Sequence, residues 1–167
     1  MEIAVLGFVG SKNIGDYIQT KAAIDIIDSK KTRILDRENL DKYNDDDIKT
    51  IVNGWFMENP KNWPPSNRII PLFISFHINP SAQGELLKKE SLEYLKKHEP
   101  IGCRDHYTRD ILIEKGIKAY YSSCVTTSLQ RSKYLKRIYN GLIRKSYGKK
   151  YIRWVVFLEF LTIYIKL

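Results

Sequence analysis

Residues 3–8 read IAVLGF, a six-residue apolar run that gives way to the polar, glycine-bearing loop VGSKNIGD. Six residues suit a strand better than a helix, and a strand that is apolar throughout must be buried on both faces. That is the condition of a strand inside a parallel sheet. The same alternation continues along the chain. Spacing predicts a helix over residues 17–27, with Ile18, Ala22, Ala23, Ile26 and Ile27 inward and Asp16 as its N-cap. A second strand is expected at 33–35, and residues 39–47 read as a polar loop or short helix. A third strand, 49–53, ends at Gly54. Three prolines make 59–67 irregular, and another apolar strand lies within 69–78. A helix over 84–97 turns Leu86, Leu87, Leu92 and Leu95 inward. A short strand follows at 100–103, then a helix over 105–115 closed by Gly116, and a last strand begins at 118. Repeated strand–helix order specifies an α/β fold, a Rossmann-like parallel sheet with helices on both faces.

In such sheets ligands bind at the carboxyl ends of the strands, which is where the unusual residues fall. The first loop is neither a Walker A loop nor GxGxxG. It offers free N–H groups beside Lys12 for an anion, and Asn13 and Asp16 as partners for sugar hydroxyls. A tight turn with Asp16 capping its helix would also account for it. Trp55, Phe56 and Trp63 lie in expected loops, where aromatic rings suit the apolar face of a sugar or base; covering the sheet's end as core is the alternative. His77 at its strand end suits a base, a phosphate partner or a hydrogen-bonded structural residue. His98 and His106 read as surface positions at helix ends. In Gly102–Asp105 (GCRD), the glycine permits close backbone approach, Cys103 packs, Asp105 caps the next helix and Arg104 stands at that helix's N-terminus, facing an anionic or polyhydroxyl ligand.

Charge divides the chain. Residues 1–129 hold 18 Lys+Arg and 18 Asp+Glu, whereas residues 130–167 hold 10 Lys+Arg and one acid, Glu159. We place a domain edge there, giving a domain at 1–129 and a basic, apolar tail at 130–167. In the tail, Tyr134, Leu135, Ile138, Tyr139, Leu142 and Ile143 recur at helical spacing, and residues 154–165 are almost wholly apolar yet short of the roughly 20 residues that span a bilayer. Such a tail suits a solvated flank or contact with an anionic membrane surface; nucleic acid is not expected as a partner. Two cysteines give no disulfide framework and no zinc spacing. With no signal-peptide pattern at the start, a reducing cytoplasm is expected.

The segments NIGDYIQT, DREN, VNGWF, NWPPS, PLFISFHI, EPIGCRD, EKGIKAYYS and SCVTTSL, in this order, resemble the N-terminal half of the polysaccharide pyruvyl transferase family over residues 1–129. The resemblance implies one half of a two-domain, glycosyltransferase-B-like architecture. It implies transfer of a pyruvyl group from phosphoenolpyruvate to hydroxyls of a sugar or polysaccharide acceptor, giving a ketal, with neither metal nor cofactor. It places Asn13, Gly15, Asp16, Gln19, Trp55, His77, Arg104 and Asp105 on the acceptor-side wall of the cleft, with Lys12 and Arg104 as anion candidates; the catalytic residues stay unassigned. In the family a second domain supplies the basic residues that hold the donor, and residues 130–167 match none of it. The expectation is therefore a transferase of truncated type, inactive alone and completed by a partner chain. Two readings stand beside it: a non-catalytic remnant that binds glycan or protein, and a module peripheral to the inner membrane face through its basic tail.

Overall fold

The computed structural model describes residues 2–27 and 32–129. The tail helix and apolar segment expected in 130–167 lie outside the described residues. Six strands form one parallel sheet: β1 (Ile3–Gly7), β2 (Thr32–Asp36), β3 (Ile48–Phe56), β4 (Ile69–Ile78), β5 (Ile101–Cys103) and β6 (Ala119–Tyr121), in the order β2-β1-β3-β4-β5-β6. Four α-helices connect them: α1 (Ile14–Ile27), α2 (Gln83–Leu86), α3 (Lys89–Lys97) and α4 (His106–Glu114). The order reverses direction between β1 and β3, so the topological switch point lies where the first glycine loop and the end of β3 meet.

Side-chain alternation gives the sheet two unlike faces. One carries the large core, built on Leu6, Ile48, Val52, Phe56, Phe73, Phe76 and Ile101 with Leu86 and Leu95 above them. Trp63 sits at its centre, with ring centroids 5.5 Å from Phe56, 5.7 Å from Phe76 and 5.6 Å from Tyr94. Aromatic pairs of this kind each add about 0.5–1.5 kcal/mol beyond area burial. On the opposite face α1 covers β1 and β3, where Ala23 packs on Val5 and Ile51.

The α/β reading holds, and the departures from it have local causes. The first helix starts at Ile14, three residues earlier than its apolar spacing suggests, because Asn13 and not Asp16 caps it. Asn13 Oδ1 accepts the Gly15 N–H at 2.9 Å. The buried side of α1 is Asp16, Gln19, Thr20, Ala22 and Ala23, while Ile26, expected inward, is exposed. Small residues bring the helix close enough for Thr20 Oγ1 to donate to the Leu6 carbonyl at 2.7 Å. Strand β3 continues through Gly54, at φ +92, to Phe56, and opposite Val52–Gly54 strand β4 carries one extra residue, with Ser75 at φ 58. The helix expected over 84–97 is two, since Lys88 is extended (φ −64, ψ 159). Ser91 Oγ takes up the Glu85 carbonyl next to the break at 2.7 Å, and Leu86 and Leu95 stay fully buried.

Candidate functional site

The rim at the carboxyl ends of β1, β3, β4 and β5 is built from the first loop inward. Ser11 organises that loop. Its hydroxyl donates to Asp16 Oδ2 at 2.6 Å and accepts the Asn13 N–H at 3.1 Å, while its own N–H bonds the Phe8 carbonyl. The N–H groups of Ser11, Asn13, Gly15 and Asp16 thus all donate within the loop. This leaves less of an anion cradle than a strand–loop–helix unit suggests. Asp16 is buried and engaged with Ser11, whereas Lys12 and Asn13 are exposed. Gln19 reaches under the rim: its Oε1 would lie 3.2 Å from a Cβ placed on Gly54. That oxygen and both amide atoms of the fully buried Asn53 have no hydrogen-bond partner among the described residues.

Three adjacent strands then end in a row. Trp55 and His77 are register partners on β3 and β4, and Phe76 pairs with Cys103 on β5, with the Arg104 N–H on the Phe76 carbonyl at 2.8 Å. Phe56, Phe76, Ile78 and Cys103 all point into the large core. Their strand neighbours Trp55 and His77 therefore share the other side, and Arg104 follows directly on the last residue of β5. Trp55, expected in a loop, is the penultimate residue of a strand, and Phe56 and Trp63 belong to the core. Among the described residues the Arg104 guanidinium has no hydrogen bond or ion pair, although it is only half-exposed.

Asp105 caps α4 as expected: Oδ1 accepts the Thr108 N–H at 2.8 Å. Its Oδ2 lies 2.5 Å from His77 Nδ1. Partial burial pushes this carboxyl up, but the Thr108 N–H and the His77 ring outweigh burial and hold it below the usual aspartate value. Burial keeps the Cys103 thiol protonated, pushing it up to about 12. His98 closes α3 against Tyr94, and burial followed by Lys97 lowers it. His106 is exposed and stacks on Tyr121 at 4.4 Å.

Two features escaped the sequence reading. In DREN, Arg37 is buried beneath the rim with its guanidinium carbon 4.7 Å from the Phe8 ring centre and 5.2 Å from that of Trp55. Its Nη1 donates to the Trp55 carbonyl at 2.8 Å and its Nε to Glu38 at 2.6 Å. Glu38 in turn accepts the Glu58 and Asn59 N–H groups. DREN is thus the clamp that holds Trp55 and the loop after it. In SCVTTSL, Ser122 Oγ accepts the Ser75 N–H at 2.9 Å and the Ser123 carbonyl accepts Ser75 Oγ at 2.7 Å. Ser75 and Ser123 both hold positive φ, 58 and 64, an arrangement that costs of order 1–3 kcal/mol per residue. The segment ends in a 3-10 turn, Val125–Ser128, packed against α1. It frames the far side of the row.

The sequence model of one family, polysaccharide pyruvyl transferase, matches residues 13–165. The matched span runs past Leu129, where the motif-by-motif resemblance stops. No curated protein and no solved structure matches the chain. A match over most of the chain decides the matter: the chain belongs to the polysaccharide pyruvyl transferase family.

Proposed function

We propose that the rim of Trp55, His77 and Arg104 binds the sugar acceptor of a pyruvyl transfer from phosphoenolpyruvate, giving a ketal on a polysaccharide. The observation that carries this reading is the row itself. A half-buried aromatic ring, an imidazole and an unpaired guanidinium stand side by side on three neighbouring strand ends. An aromatic face takes the apolar side of a pyranose, and the polar pair takes its hydroxyls or an acidic substituent.

In forming a ketal, two hydroxyl oxygens bond to C2 of the enolpyruvyl group, C3 gains a proton to become methyl, and the bond from C2 to the phosphate oxygen breaks. The donor carries a phosphate and a carboxylate and so needs a clamp of several cations. Among the described residues the rim offers Lys12 and Arg104, because Arg37 is committed to Glu38 and Trp55. The described domain is accordingly the acceptor side, and the clamp for the donor is contributed from outside it. Free thiols at Cys103 and Cys124 suit a cytoplasmic site of action. No helix among the described residues is long and apolar enough to cross a membrane.

Calorimetric titration of the full chain with a panel of pyranose oligosaccharides, and separately with phosphoenolpyruvate, tests this. Binding of a sugar, weakened about tenfold or more by Arg104→Ala at unchanged melting temperature, is the expected result. Silence across the sugar panel would refute the acceptor assignment. Heat with phosphoenolpyruvate that is lost on substituting Lys12 and Arg104 would overturn the view that the donor clamp lies outside the described residues.

A further inference from the structure

The two nitrogens of the His77 ring are used differently. Nδ1 lies 2.5 Å from Asp105 Oδ2 and 3.4 Å from Thr108 Oγ1, whereas Nε2 has no partner among the described residues and is not enclosed. Asp105 is fixed independently of any ligand. Its Oδ1 holds the Thr108 N–H, and Thr108 Oγ1 donates to Oδ2 at 3.3 Å while accepting the Ile78 N–H at 3.2 Å. A carboxylate can only accept, so the proton in the bond to Asp105 belongs to Nδ1. Neutral His77 then presents a bare lone pair at Nε2, beside its register partner Trp55.

Resting on the acceptor reading above, we infer that His77 is the base that takes the proton of the attacking sugar hydroxyl, and that Asp105 is the residue that positions it. The hydroxyl O–H bond breaks and an Nε2–H bond forms as the sugar oxygen bonds to C2 of phosphoenolpyruvate. The pair of the C2=C3 bond takes a proton from water at C3. The imidazolium then gives its proton to the phosphate oxygen as the bond from C2 to that oxygen breaks; the second hydroxyl oxygen bonds to C2 in its place, and its proton goes to the hydroxide left when water protonated C3. Proton transfer of this kind contributes typically 10²–10⁴-fold to rate. A carboxylate behind the imidazole fixes the tautomer that the transfer needs.

The test is long-range ¹H–¹⁵N NMR of the histidine rings in the labelled full chain, titrated with each sugar of the same pyranose oligosaccharide panel, with calorimetry in parallel. In the free protein His77 is expected to carry its proton on Nδ1. Its Nε2 resonance is expected to move with sugar, along the same isotherm as the heat. His77→Gln should bind the sugar about two- to tenfold more weakly, the loss of one neutral hydrogen bond. Asp105→Asn keeps a capping side chain on α4. It should nonetheless shift the ring toward the Nε2-protonated tautomer and abolish the Nε2 response. A proton on Nε2 in the wild-type chain would overturn the inference. So would an Nε2 resonance unmoved while calorimetry reports sugar binding, an outcome that leaves the acceptor reading standing. No sugar binding by either method overturns the reading and the inference together.

Discussion

Gly102 is the residue in GCRD with the least room. A Cβ placed on it would lie 2.7 Å from the Phe73 carbonyl oxygen, 2.9 Å from Tyr120 Oη and 3.1 Å from Tyr120 Cζ. The ring of Tyr120, on the neighbouring strand, is half-exposed and can swing away. The Phe73 carbonyl belongs to the backbone of β4 and cannot move without parting β4 from β5. Forcing a methyl group into such a contact costs about 1–3 kcal/mol, offset by about 0.4–1 kcal/mol because alanine restricts the unfolded chain. Gly102→Ala is therefore expected to destabilise by about 1–2 kcal/mol. At a urea m-value of about 1.5 kcal/mol/M, the midpoint falls by about 1 M. Gly84→Ala is the matched control: nothing lies within 4 Å of its Cβ, it is in α2, and the same substitution should raise stability by about 0.5–1 kcal/mol. Adding Tyr120→Ala to Gly102→Ala should recover only part of the loss, since the carbonyl contact remains. Gly102→Ala as stable as wild type would show that the approach of β4 to β5 is not what fixes glycine here. Full recovery in the double variant would put the whole cost on the ring.

Arg37→Met should destabilise by about 3–5 kcal/mol, because Glu38 is left charged and largely buried, and adding Glu38→Gln should restore a substantial part; equal losses in urea melts would refute the clamp. Ellman's reagent should label Cys124 promptly and Cys103 only on unfolding. Raising the Cys103 thiol from 9.0 to about 12 cuts its thiolate share about 10³-fold, and burial adds to this, so two equally fast thiols would contradict the packing. Asp105 gives an acid dependence. Its folded value is depressed, so its contribution is full above the ordinary aspartate value of 3.8 and is lost as pH falls through the lower folded one. The stability gap between wild type and Asp105→Asn, measured by urea melts across pH, should close as pH drops below about 4, and a gap independent of pH there would refute the His77–Asp105–Thr108 network.

The strands were legible because a doubly covered strand must be apolar throughout, and IAVLGF and LFISF leave little choice. What stayed hidden depends on partners distant in sequence. Prolines on either side of Trp63 mark a loop, which argues for exposure. The ring is nevertheless central, because Phe56, Phe73, Phe76 and Tyr94 converge on it from two strands and a helix. Asn13 and Asp16 are both acceptable caps three residues apart, and only the Ser11 hydroxyl, already spent on Asp16, decides between them. Trp55, His77 and Arg104 each stood out alone as residue types. Their adjacency required the register of β3, β4 and β5, and an extra residue in β4 between Phe73 and Phe76 shifts that register by one.

That difference bears on how the site should be read. A polar residue at a strand end is either holding the fold or waiting for a ligand, and its hydrogen bonds tell which. Asp16 and Arg37 are buried, Glu38 is half-buried, and all three are engaged with Ser11, Trp55 and the backbone of the next loop. Substituting any of them should lower stability and binding together. The Arg104 guanidinium and His77 Nε2 have no partners among the described residues, yet the groups that aim them are in place: the Arg104 N–H is fixed on Phe76, and His77 Nδ1 on Asp105. Leaving a cation and an imidazole unpaired at a half-buried rim forgoes hydrogen bonds worth about 0.5–3 kcal/mol each. A fold under selection for stability alone would have closed them, as it did with Arg37 one strand away. On the acceptor reading proposed above, the open pair is the part of the rim that a ligand completes, and substitutions there should separate binding from stability where those in the clamp cannot.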